Sequence, residues 1–178
     1  MTRDHLLEPD LTIAGPILGL KAAPLLEAGV RGLVLDVDET LVPSSTEEIA
    51  GDLHDWVVTM RRHFPIWLVS NNISEARIGG IAETLELPYH LAAGKPSRRK
   101  LRLAAEAMNL PVEHVAIVGD RVFTDVLAGN RLGFYTVLVE PMVDPDRTPR
   151  SHWWRNLEVR VSQLMGARFH PHPEMSLR

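Results

Sequence analysis

Short apolar runs alternate with longer stretches of helical period along the chain from Val30 onward. The runs are rich in valine, leucine and isoleucine, and their hydrophobicity is continuous rather than alternating. Strands of this kind are typically buried on both faces, as in a parallel sheet that is covered by helices. The pattern predicts strands at residues 32–37, 66–70, 89–93, 115–119 and 135–139.

Helices are predicted in the intervals between the strands. Ser45 and Glu48 have the spacing of a capping box, and the apolar residues that follow share one helical face: Ile49, Leu53, Val57 and Met60. Further helical patterns cover 74–85, 97–108 and 124–132, the last followed by Gly133 as a C-terminal stop. This order predicts an α/β fold with a doubly wound, Rossmann-like parallel sheet, whose ligands bind at the carboxyl ends of the strands.

Length, charge and composition limit the classes of protein to which this chain can belong. The 178 residues suffice for one domain, in which we expect a segment 1–29 packed on the core, a main domain 30–141 and a C-terminal amphipathic helix and tail 142–178. The net charge of −4 argues against a general nucleic-acid surface. The absence of cysteine excludes disulfides, thiolate catalysis and cysteine-bound zinc. Neither a secretion signal nor a spanning segment is recognisable, which predicts a cytoplasmic protein.

Polar and charged residues follow successive predicted strands at the edge where ligands should bind. They are Asp36 and Asp38 after the first strand, Ser70 and Asn71 after the second, Lys95 after the third, and Asp120 and Asp125 after the fourth. Two neighbouring carboxylates repel one another, and a divalent cation would offset that cost. Magnesium suits oxygen ligands, so the sequence predicts a Mg²⁺ site at this edge of the sheet.

Four short motifs carry a family resemblance. The segments "DVDETL", "SNN", "KP" and "GDRVFTD" occur in this order between residues 36 and 125, and they resemble the four motifs of the haloacid dehalogenase (HAD) superfamily of phosphotransferases. The longer stretches "LDVDETLV" and "VGDRVFTDVLAGNRLGFYTVLVEP" are most similar to the YqeG-type branch of subclass IIIA, whose relatives include phosphatidylglycerophosphate phosphatases. The resemblance covers residues 9–141, with one departure, because this branch commonly has asparagine where Glu39 stands.

The resemblance implies a role for each of these residues. Asp36 would be the nucleophile that forms an aspartyl phosphate, and Asp38 the general acid and base. Ser70, the backbone amide of Asn71 and Lys95 would bind the phosphoryl oxygens. The implied Mg²⁺ ligands are Asp36, the backbone carbonyl of Asp38, Asp120 and, as a ligand or an outer partner, Asp125.

Structural alternatives stay open for each of these residues. Asp36 and Asp38 could be a solvated acid and a turn acid, and Ser70 could cap a helix. Asn71 could be a turn residue, and Lys95 a surface lysine. Asp125 would be favourable at a helix N-terminus without any ligand.

The spacing of the motifs leaves no room for a large cap domain, because predicted helices and strands fill the intervals between Asp36, Ser70 and Lys95. An open site suits a bulky substrate. In the segment 150–164, an apolar face that includes Trp153 and interspersed arginines form an amphipathic pattern. This segment could contact an anionic membrane at its inner face, or it could be an ordinary helix packed on the domain.

The leading hypothesis is a Mg²⁺-dependent phosphatase of phosphatidylglycerophosphate or a similar anionic lipid phosphate. The alternatives are a phosphatase of small soluble metabolites, such as sugar or nucleotide phosphates, and a phosphate-binding module without turnover. A phosphorylated substrate is the expected partner, with a lipid head group as one form of it, and no nucleic acid is expected.

Overall fold

A parallel sheet of six strands forms the centre of the protein, for which a computed structural model describes residues 6–142. The strand order is β1-β6-β5-β2-β3-β4, and every neighbouring pair is parallel. The strands are β1 (Leu11–Thr12), β2 (Gly32–Leu35), β3 (Ile66–Val69), β4 (Tyr89–His90), β5 (Val115–Gly119) and β6 (Tyr135–Leu138). The predicted doubly wound α/β fold is therefore confirmed.

Helices cover both faces of this sheet. They are α1 (Ala22–Glu27), α2 (Gly51–Arg61), α3 (Glu75–Leu85), α4 (Arg99–Ala107) and α5 (Leu127–Leu132). Because successive side chains of a strand point to opposite faces, Leu33 and Leu35 of β2 join one buried cluster with residues of α1, α2 and α3. Val34 joins a second cluster with residues of α4 and α5. This double burial explains the continuous apolar run of β2.

Helix α2 begins later than the capping-box pattern predicted. It starts at Gly51, and its N-cap residue Ala50 has no side-chain cap. The amide of Glu48 donates instead to Thr46 Oγ1 at 3.0 Å, so a local side-chain turn competes with helix formation in this stretch. The predicted capping box of Ser45 and Glu48 is wrong.

Most other elements lie within one or two residues of their predicted limits, and two differ more. Strand β4 ends at His90 rather than at residue 93, and Ala92 beyond it has a φ of 50°. The stretch predicted as one helix at 124–132 is preceded and partly replaced by a π-helical turn, Val122–Val126, which leads into α5. Gly133 does end α5, with a φ of 94°.

The N-terminal residues that the structure describes belong to the same core. Strand β1 extends the sheet beside β6, and the buried cluster includes Ile13, Ile17 and Leu25. The side-chain amide of Asn130 donates through Nδ2 to the carbonyls of Leu6 and Glu8, at 2.9 Å each.

The predicted amphipathic helix and tail, 142–178, lie outside the described residues except for Met142. Across residues 6–142, no helix is both long and apolar enough to span a bilayer. No large cap domain is inserted between β2 and α2 or between β3 and α3, as the motif spacing predicted. The carboxyl edge of the sheet is therefore formed by loops rather than by an inserted domain.

Candidate active site

A tight turn directly after β2 brings Asp36 and Asp38 to the same edge of the sheet. Asp36 donates its backbone N–H to Val118 O at 2.9 Å, which continues the pairing with β5. The chain then reverses, with the amide of Leu41 donating to Val37 O at 2.9 Å. Glu39 takes a φ of 65° in this turn, a conformation that asparagine adopts more readily than glutamate.

Glu39 stabilises the turn through its side chain. Its carboxylate accepts hydrogen bonds from the backbone amide and from the hydroxyl of Ser44. The departure from the family pattern is thus accommodated by contacts within the loop. No chemical role is needed to explain this residue.

Three buried carboxylates, Asp36, Asp120 and Asp125, form the centre of the site. One oxygen from each lies within 4.8 Å of those of the other two. Asp36 and Asp120 follow paired strands, β2 and β5, whereas Asp125 comes from the π-helical turn. Gly119 makes the approach of Asp125 feasible, because a Cβ at this position would lie 2.4 Å from Asp125 Cγ.

Lys95 is the buried cation of this cluster, and its side chain is only 2% exposed. Its Nζ lies 2.6 Å from Asp36 Oδ1, 2.7 Å from Asp125 Oδ1 and 2.8 Å from Val69 O. The contact with Asp125 Oδ1 is an ion pair by distance, although that oxygen lacks a partner with good hydrogen-bond geometry. The lysine therefore joins the ends of β2 and β3 to the π-helical turn that follows β5.

The side chain of Asn71 holds the loop that carries Lys95. Asn71 Oδ1 accepts from the Lys95 amide at 2.7 Å, and Asn71 Nδ2 donates to the Lys95 carbonyl at 3.2 Å. These paired bonds fix the backbone from which the lysine extends. Asn71 is thus more than a turn residue.

Burial shifts the ionisation of the cluster. It raises the pKa of Asp36 to about 6, against the opposing effect of Lys95. Burial and the charge of Asp36 raise the pKa of Asp120 to about 8. Burial acts to lower the pKa of Lys95, but Asp125 and Asp36 outweigh it and raise that pKa above its ordinary value, so the lysine stays charged.

The cluster contains three carboxylates and one ammonium group, that of Lys95, which pairs with Asp36 and Asp125. A divalent cation would offset this surplus, and carboxylate oxygens are the ligands that Mg²⁺ prefers. The donor set of Asp36, Asp120 and Asp125 therefore fits magnesium. Thr40, fully buried, donates to Asp120 Oδ1 at 3.1 Å and orients that carboxylate.

Asp38 lies beside the cluster, and other groups hold its carboxylate. Arg77 Nε and Nη2 both lie 2.9 Å from Asp38 Oδ1. Asn72 Nδ2 donates to Asp38 Oδ2 at 3.0 Å, and Ser70 Oγ lies 3.4 Å from the same oxygen. The carboxylate of Asp38 is not one of the three that form the acidic cluster.

Arg77 also fixes the loop after the turn. Its guanidinium donates to the carbonyls of Pro43 and Thr46, so one buried side chain joins α3, the loop and Asp38. Arg77 and Thr40 were not predicted from the sequence as site residues, and no role was predicted for Asn72. A signal for Arg77 was present, because this arginine interrupts the apolar stripe of α3 next to Ile78.

The predicted phosphate-binding residues gather at the same edge. Ser70 is buried, and its Oγ accepts from the Asn72 amide at 2.9 Å. It does not cap α3, because Ser74 occupies the N-cap and accepts from the Arg77 amide. The structure therefore brings Asp36, Asp38, Ser70, Lys95 and the two later acids to one place.

Known proteins with related sequences identify the family of this chain. A family model described as HAD-hydrolase-like matches residues 92–144. The Bacillus subtilis protein named "Probable phosphatase YqeG" is 36% identical over 123 residues, which span 68% of this chain and 71% of that protein. The chain belongs to the YqeG-type branch of the HAD phosphatases.

Two further proteins match this HAD phosphatase over a smaller part of the chain or at lower identity. The dihydroxyacetone phosphatase of Corynebacterium glutamicum is 35% identical over 72 residues, covering 40% of this chain and 26% of that enzyme. The structure of a HAD family hydrolase from Streptomyces avermitilis matches with a TM-score of 0.50 and 17% identity, covering 62% of this chain and 67% of that one. At this identity the structure supports the fold alone.

The ion pair of Arg77 with Asp38 should contribute far more to stability than an exposed one. We expect Arg77→Ala to lower the free energy of unfolding by about 1–3 kcal/mol, because it removes the charged donor to Asp38 Oδ1 and the donor to two loop carbonyls. Arg61→Ala, which removes an exposed ion pair with Glu86, should cost at most about 1 kcal/mol. Urea denaturation of both variants measures the difference, and equal losses would contradict this account of Arg77.

Proposed function

We propose that this HAD phosphatase is a Mg²⁺-dependent phosphomonoesterase that works through an aspartyl phosphate on Asp36. We further propose that it dephosphorylates phosphatidylglycerophosphate or a similar anionic lipid phosphate. The observation that carries the chemical part is the buried cluster in which Asp36 contacts Lys95 and adjoins Asp120 and Asp125. A buried acid with both a cation and further acids around it is suited to covalent catalysis at phosphorus.

Asp36, Asp120 and Asp125 would hold the magnesium ion, and the family resemblance adds the backbone carbonyl of Asp38. A bound Mg²⁺ supplies positive charge that stabilises the transferred phosphoryl group and orients it. Lys95 contributes a permanent charge to the same region. Ser70 and the amide of Asn71 would bind the remaining phosphoryl oxygens.

Phosphoryl transfer then proceeds in two steps. In the first, a carboxylate oxygen of Asp36 forms a bond to phosphorus, the bond from phosphorus to the substrate oxygen breaks, and Asp38 gives that oxygen a proton. In the second, Asp38 takes a proton from water, whose oxygen bonds to phosphorus and displaces Asp36. Arg77 and Asn72 keep the Asp38 carboxylate oriented throughout.

Two considerations support a lipid substrate. The motifs resemble a branch whose relatives include phosphatidylglycerophosphate phosphatases, and no large cap covers the carboxyl edge of the sheet in the described part of the chain. An open edge admits a phosphate presented on a membrane. The amphipathic pattern of 150–164 would supply the membrane contact, at the cytoplasmic face.

A second candidate is a phosphatase of small soluble phosphate esters. The observation that favours it is the match to an enzyme named dihydroxyacetone phosphatase. That match spans a minority of both chains, so we place this function second.

Magnesium should bind more tightly as the pH rises. Because burial raises the pKa of Asp36 to about 6 and that of Asp120 to about 8, protons occupy these carboxylates in mildly acidic solution and compete with the metal. The rise in melting temperature caused by Mg²⁺ should therefore be larger at about pH 8.5 than at about pH 6.

Two variants test whether the Mg²⁺-induced rise in melting temperature comes from the acidic cluster or from surface carboxylates. Asp120→Asn should reduce the Mg²⁺-induced shift strongly, whereas Asp55→Asn, on an exposed side chain, should leave it unchanged. A shift that is the same in all three proteins, or that is larger in acid, would refute the assignment of the metal.

The covalent step makes a direct chemical prediction. Borohydride reduces an acyl phosphate, so treatment during turnover should convert Asp36 to homoserine, which mass spectrometry of the peptide detects. Asp36→Asn should lose at least about 1,000-fold in rate while it stays folded, as a cooperative melting transition would show. A modified residue elsewhere, or substantial activity in Asp36→Asn, would exclude Asp36 as the nucleophile.

A substrate panel distinguishes the candidate functions. Phosphatidylglycerophosphate in mixed micelles should give a higher kcat/KM than dihydroxyacetone phosphate, sugar phosphates and nucleotides, each with Mg²⁺. A preference for a soluble ester would favour the second candidate. No hydrolysis of any member would instead favour a binding module without turnover.

A further inference from the structure

An arginine-lined pocket lies between the start of α4 and the end of α5. Its volume is about 410 Å³, and its walls are Ser97, Arg98, Arg99, Arg102, Leu103 and Arg131. The lining contains four guanidinium groups and no carboxylate. The pocket is separate from the acidic cluster, but its wall begins at Ser97, two residues beyond Lys95.

Backbone contacts hold part of this lining in place. Arg98 Nη1 donates to Arg131 O at 3.1 Å, and Arg131 Nη1 donates to Pro96 O at 3.4 Å. These bonds join α4, α5 and the loop after Lys95, and they engage one nitrogen of each guanidinium. Arg99 and Arg102 are three residues apart on α4, so their side chains emerge on one face of the helix.

The four arginines have no anionic partner in the part of the chain that the structure describes. Among residues 6–142, none of them lies within ion-pair distance of a carboxylate. The first turn of α4 also lacks an acidic residue. Like charges that line one pocket without counterions repel one another, and a bound anion would offset that cost.

We propose that the arginine pocket binds a phosphate-bearing anion, distinct from the phosphoryl group at Asp36. Guanidinium groups match phosphate oxygens through paired N–H donors, which makes arginine well suited to this ligand. Leu103, whose surface is 38% exposed, adds an apolar wall for the carbon part of an organic phosphate. A phospholipid head group and a soluble phosphate ester share this chemistry.

Titration with inorganic phosphate tests the pocket without any turnover. In the metal-free full-length protein, NMR should show saturable shifts at the amides of Ser97 and Leu103. In Arg99→Gln/Arg102→Gln, those shifts should require at least about tenfold more phosphate, because two charged donors are lost.

The matched control is Arg61→Gln/Arg62→Gln, which removes the same charge from exposed positions on and beside α2. It should titrate like the wild type, and melting temperatures should confirm that both double variants fold. Shifts in the wild type that do not saturate, or equal weakening in both double variants, would overturn the proposal.

Vesicle co-sedimentation identifies the source of the phosphate group once the titration has shown binding. Wild-type protein is compared on vesicles of phosphatidylglycerol with phosphatidylcholine and on phosphatidylcholine alone. Binding to the anionic vesicles that the pocket variant loses and the control keeps would support a lipid head group. Equal vesicle binding by the wild type and the pocket variant would support a soluble phosphate ester. Neither result depends on the proposed hydrolysis, so the pocket and the catalytic function can fail independently.

Discussion

The ion pairs of Lys95 hold the centre of this protein together. A buried carboxylate is costly unless a partner compensates it, and a cluster of such groups also repels itself. Lys95 Nζ lies 2.6 Å from Asp36 Oδ1 and 2.7 Å from Asp125 Oδ1, and it also donates to Val69 O at 2.8 Å. One ammonium group therefore joins segments that would otherwise repel. Loss of that charge would favour protonated carboxylates or a rearranged edge.

The compensation by Lys95 is incomplete, and that property suits a phosphatase. The cluster holds one cation and three carboxylates, and burial together with repulsion between the acids raises the pKa values of Asp36 and Asp120, which leaves a demand for positive charge. Magnesium would meet this demand. The arginine pocket presents the reverse pattern, because cations line it without acids. The loop from Lys95 to Ser97 connects these two regions of opposite charge.

Polar side chains hold the irregular loops at the edge of the sheet in place. Asn71 pairs with the backbone of Lys95 in both directions, and Arg77 joins Asp38 to the carbonyls of Pro43 and Thr46. Such contacts give short loops a definite conformation, since each satisfies backbone groups that neither helix nor strand can pair. The orientation of Asp38 depends on them as much as on the turn after β2.

The order of strands and helices from β2 onward and the positions of the strand-end acids could be predicted from the sequence, because continuous apolar runs are a local signal and parallel strands end at one edge. The start of α2 could not be predicted, because the Thr46 hydroxyl binds the Glu48 amide in place of the expected capping box of Ser45 and Glu48. The partner of Asp38 could not be predicted either, because Arg77 is 39 residues away in the sequence. The same holds for the hydrogen bond from Thr40 to Asp120, which are 80 residues apart. Only the packing of distant segments decides which polar groups meet, because periodicity determines the face on which a side chain lies and not the group that it contacts there.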